Sequence, residues 1–70
     1  MGNLIMDSYT TKKAKQLMLF YESEGRKELE AGNVDLACFL ITQAYIFALE
    51  AGASKSKTLY SFLKYYGRED

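Results

Sequence analysis

A lone thiol, two carboxylates on one helical stripe and a set of lysines among tyrosines are the residues of this chain that could carry chemistry. Cys38 would act as a nucleophile if a neighbouring base lowered its pKa. The chain contains no histidine, so imidazole is not available for that task. Cys38 stands instead among Leu36, Phe39 and Leu40, where a thiol packs as a small hydrophobe. Asp35 and Glu50 fall on one side of a helix, but their separation along it exceeds about 20 Å, too far for an acid–base pair. One cysteine without histidine leaves no ligand set for zinc and no internal disulfide. Gly25, Gly32, Gly52 and Gly67 are too dispersed to form a phosphate-cradling loop. The residues therefore predict no catalytic group, no metal and no cofactor, and the chain reads as a non-enzyme.

Binding chemistry is the remaining class. Lys55, Lys57, Lys64 and Arg68 alternate with Tyr60, Tyr65 and Tyr66 near the C-terminal end. Cations interleaved with aromatics can hold single-stranded nucleic acid by phosphate contact and base stacking. Lys55, Lys57, Lys64, Tyr65 and Arg68 are thus the residues of an alternative nucleic-acid reading. Against it, nine basic and nine acidic residues give zero formal charge, which provides no general grip on a polyanion. Lysines snorkelling around a tyrosine-rich packing face produce the same pattern.

The elements that must position these residues are helices. Proline is absent and glycines fall where helices should stop. Ser8 is the expected N-cap of a helix running to about Ala31, with Ala14, Leu17, Met18, Tyr21, Gly25 and Leu29 along one stripe. Lys12, Lys13, Lys15, Glu22, Arg26, Lys27, Glu28 and Glu30 make its opposite, solvated face. Gly32 and Asn33 give a short turn into a second helix over 34–51, so the first two helices should form an antiparallel hairpin. Ser54 or Ser56 caps a third helix over 57–66, with Leu59, Phe62, Leu63 and Tyr66 on its inner side, and Arg68 to Asp70 should fray beyond Gly67. The fold class is all-α, one small domain spanning residues 1–70.

The second helix is the strongest signal. Its polar side chains Asp35, Thr42, Gln43 and Glu50 fall at about 0°, 340°, 80° and 60° around the axis, a stripe roughly 100° wide that should stay wet. The rest of the circumference, including Phe39, Leu40, Ile41, Tyr45, Ile46, Phe47 and Leu49, reads as apolar. Two neighbouring helices, one of them only about 15 Å long, do not cover an arc of that width. A chain of this length also buries only about 60% of its unfolded surface. With disulfide and metal excluded, self-association into a homodimer that completes a bundle is the expected remedy. The interface residues expected on this helix are Phe39, Gln43, Tyr45, Ile46 and Phe47, with Gln43 able to fix register. Another protein partner is the further expectation. The polar interruptions in the longest apolar run argue against a membrane span, and the opening MGNLIMDS lacks the pattern of a secretory signal. Gly2 offers a myristoylation reading that Met6 weakens. A cytoplasmic location is expected.

Leu29, Gly32, Asp35, Ala37, Phe39, Gln43, Ala44, Leu49 and Ala51 match a helix ending in L-x-x-G followed by D-x-A-x-F-x-x-x-Q-A. In these residues the hairpin over about 14–51 resembles the core of HEPN domains, with a weaker likeness over 57–63. Glu50 stands where that family usually has lysine. The resemblance implies an all-α bundle dimerising through its long helices, with nucleotidyltransferase partners, toxin–antitoxin systems or RNA cleavage. This chain has fewer helices than such domains and no histidine for the Arg-x4-6-His motif of their catalytic members, so no catalytic residue carries over. Gly25, Gly32, Asn33, Ala37 and Ala44 are also similar to the small-residue spacing of a single tetratricopeptide repeat. A lone repeat needs a neighbour to bury its face, which again implies assembly.

Overall fold

In a computed structural model, which describes residues 4–68 and the side chains from Thr10 onward, three α-helices follow one another: α1 (Leu4–Glu30), α2 (Val34–Ala51) and α3 (Lys55–Tyr65). No strand occurs among the described residues. The sequence readings of Gly2, Glu69 and Asp70 lie outside them.

The two ends of the hairpin explain its topology. At the close of α1, Gly32 adopts φ 87°, its N–H donates to the Leu29 carbonyl at 3.0 Å, and the Asn33 N–H donates to Glu28 at 2.9 Å. These are the two reversed hydrogen bonds of a Schellman motif, which satisfies the last carbonyls and turns the chain back. Gly52 ends α2 in the same way, with φ 65° and an Ala53 N–H donated to Ala48 at 2.9 Å. The end of α3 repeats the pattern, the Arg68 N–H donating to Leu63 at 2.8 Å. Side chains at the helix starts do less than the sequence implies. Asn33 and Ser54 occupy the N-cap positions without a capping side-chain hydrogen bond. The Asn33 amide instead donates to the Glu28 carboxylate at 2.7 Å, holding the turn.

Boundaries differ from the sequence reading at two places. α1 begins at Leu4, and Ser8 lies inside it, because nothing from Leu4 to Asp7 interrupts helical backbone. α3 begins at Lys55 directly after Ser54 and ends at Tyr65.

Small residues set the hairpin spacing. Ala14, Ala37, Ala44 and Ala48 are buried, and Gly25 faces α2 so closely that a Cβ there would lie 2.8 Å from the Ile41 Cδ1 and 3.3 Å from the Ala37 carbonyl oxygen. Met18, Cys38, Ile41, Leu59 and Leu63 then interlock as the core, so α3 packs across α2 on one flank of the hairpin. The resulting molecule is elongated. It measures 44 × 23 × 15 Å with a radius of gyration of 13.1 Å, against about 11 Å for a typical domain of this length.

One further property of α2 departs from the sequence reading. Its 18 residues are, by length and composition, long and apolar enough to cross a membrane, despite Asp35 and Glu50. In the fold, α1 and α3 pack against it.

Candidate functional site

The outer side of α2 is where unusual surface gathers. Phe39, Ile46 and Leu49 are 59%, 43% and 56% exposed on a helix whose opposite side forms the core. On a helical wheel they fall at about 40°, 20° and 320° from Asp35. The stripe read from Asp35, Thr42, Gln43 and Glu50 as polar is therefore mixed, with Phe39 and Ile46 lying between its charges. Phe39, Thr42, Ile46 and Leu49 follow one another at spacings of three, four and three residues, the a/d pattern of a narrow helix–helix seam. Thr42 fits this seam because its hydroxyl donates to the Cys38 carbonyl at 2.8 Å and needs no outside partner. Leu49, absent from the expected interface, was identifiable from that spacing alone.

The remaining expected interface residues are separated by the fold. Tyr45 is half-buried on the α3 flank, its ring 6.0 Å from that of Tyr60. Phe47 is half-buried on the α1 flank and stacks on Tyr21 at 5.8 Å, with ring planes 8° apart. Gln43 is half-buried beside the seam and makes no side-chain hydrogen bond among the described residues. On α1, Leu19 and Phe20 are also exposed, Phe20 lying edge-on to Tyr21.

The basic–aromatic set is split as well. Lys55 pairs with Glu22 at 3.1 Å, and Arg68 donates to the Asp35 carboxylate at 2.6 Å. Arg68, expected to fray, thus ties the end of α3 to the start of α2. Its guanidinium is held above the usual arginine range by that hydrogen bond to Asp35, with nearby Cys38 and the Asp35 charge adding to the effect. Lys57, Lys64 and Tyr65 stay on the outer face of α3; Tyr65 is 82% exposed, and neither lysine forms an ion pair among the described residues. A hollow of about 370 Å³ lined by Tyr45, Ser56, Lys57, Tyr60 and Ser61 lies between α2 and α3.

Glu22 corrects the sequence reading most clearly. Placed there on the solvated face, it is only 8% exposed. Its carboxylate accepts from the Arg26 Nε at 3.2 Å and Nη2 at 3.0 Å while its other oxygen meets Lys55. Arg26 in turn lies 5.8 Å from the centre of the Phe62 ring. This cluster links α1 to α3 through side chains, and at 100° per residue Glu22 falls about 20° from Leu29 and about 40° from Met18, at the edge of the inward stripe rather than opposite it.

Chemically, Cys38 lies within the core at 2% exposure, and no three His, Cys, Asp or Glu side chains gather into a metal-binding group among the described residues. No protein-family model, curated protein or solved structure matches the chain. The likenesses to HEPN domains and to a tetratricopeptide repeat rest on the residues that carry them.

Proposed function

We propose that this chain is a non-catalytic helical interaction module that self-associates through the outer side of α2. The observation that carries the reading is the row Phe39, Ile46 and Leu49, large apolar side chains left exposed on a helix closed by the Gly52 turn. Exposed apolar patches with polar rims mark association sites on soluble proteins. One whole-molecule quantity supports it: zero formal charge leaves little repulsion between copies.

Replacing Phe39 or Ile46 by glutamate tests the proposal. Both positions face away from the core, so the fold is expected to survive while association is lost. Light scattering that gives the same mass for wild type and both variants would overturn it. Phe47→Glu is less informative, since it also removes the Tyr21 stack within the hairpin.

A further inference from the structure

Resting on the self-association reading, we infer that a second copy of this chain docks antiparallel along α2. In this arrangement Phe39 packs on the partner's Leu49 and Ile46 on the partner's Thr42. Three observations favour this occupant and this direction. First, the seam reads three, four, three from either end, so a copy running the opposite way meets it in register. Each layer then combines a and d positions, as antiparallel helix pairs require, and the bulky Ile46 falls against the small Thr42. Second, α2 has no basic residue; its charges are Asp35 near the start and Glu50 near the end. A parallel copy sets Asp35, which lies on the centre line of the seam, beside the partner's Asp35. The antiparallel copy sends the two Asp35 carboxylates to opposite ends of the pair, each beside its own Arg68. Third, flanking positions face their own kind across an antiparallel two-fold, which puts Gln43 next to the partner's Gln43. That amide makes no hydrogen bond among the described residues, and two amides can satisfy each other while setting register.

The test uses two variants in a Cys38→Ala background, Phe39→Cys and Leu49→Cys, oxidised with copper phenanthroline separately and as a mixture. Antiparallel docking predicts that neither variant links alone, because like positions lie about 15 Å apart along the axis. The mixture should shift from 8.0 kDa to about twice that on a non-reducing gel, as the mixed disulfide by mass spectrometry. Links formed by each variant alone indicate a parallel pair and overturn the inference. Absence of any link in a protein that still sediments as a dimer places the interface on another face; the inference then fails while self-association stands. A chain that sediments as a monomer, or that associates only with a different protein, removes both. Should loss of Phe39 itself dissolve the dimer, Thr42→Cys mixed with Ile46→Cys poses the same question; like positions there are offset by only about 6 Å along the axis, so the antiparallel pair predicts that the mixed link forms well before either like link, and the reverse order overturns it.

Discussion

At the scale of single residues, two positions turn ordinary expectations around. Alanine normally improves a helix over glycine by about 0.5–1 kcal/mol. At Gly25 the added Cβ meets Ile41, which is fully buried and has no space to retreat into. Gly25→Ala is therefore expected to destabilise by about 1–3 kcal/mol, seen as a lower midpoint in urea unfolding. Ile41→Val, which removes the Cδ1 atom, should recover part of that loss in the double variant, and a more stable Gly25→Ala protein would refute the close contact. The second position is Glu22. Glu22→Gln keeps the shape of the side chain but leaves Arg26 and Lys55 without their counter-charge, at a cost of about 1–2 kcal/mol, between exposed and buried pairs. Added salt should narrow the gap between variant and wild type; equal stability at low salt would show that the cluster contributes nothing. Glycine at a helix end is legible in sequence because the motif is local. Glu22 is legible in part: the wheel sets it at the edge of the inward stripe, whereas its pairing with Lys55 depends on where α3 lands.

At the scale of elements, α3 is held mainly by apolar contact. Leu59 and Leu63 are fully buried, and Leu59→Ala should cost about 2–5 kcal/mol, a large share of what so small a domain has. Loss of the cooperative urea transition, or a strongly lowered midpoint, is the expected result; a change within experimental scatter would mean that α3 is not docked as described. The Arg68–Asp35 pair plays a lesser part at the exposed end of the helix. Because Asp35 raises the folded-state pKa of Arg68, the contribution from this guanidinium is present below its unfolded value and is lost only as pH rises through the raised one. That window lies beyond the ordinary alkaline range, so Arg68 should add no pH dependence to stability between pH 6 and about 10, as an unchanging difference between the thermal melts of wild type and Arg68→Ala across that range would show. The helices themselves were readable from spacing and glycine punctuation, apart from the early start of α1 and α3. The division of α2 into faces was readable only in part. Wheel angles already place Phe39 and Ile46 between Asp35 and Glu50, but which flank α3 covers, and so where Tyr45 and Phe47 go, depends on the tertiary packing of Leu59 and Leu63 onto Ile41 and Ala48.

At the scale of the whole molecule, an elongated hairpin braced along one flank leaves the outer side of its most apolar helix exposed. The proposed assembly covers that side and needs no chemistry from Cys38 or the carboxylates. Sedimentation equilibrium on the wild type and on Ile46→Glu tests this most directly. The account predicts a wild-type mass of about 16 kDa, twice the 8.0 kDa chain, and an Ile46→Glu mass of 8.0 kDa with an unchanged helical circular dichroism spectrum. A wild-type protein that remains at 8.0 kDa at its highest soluble concentration would contradict it.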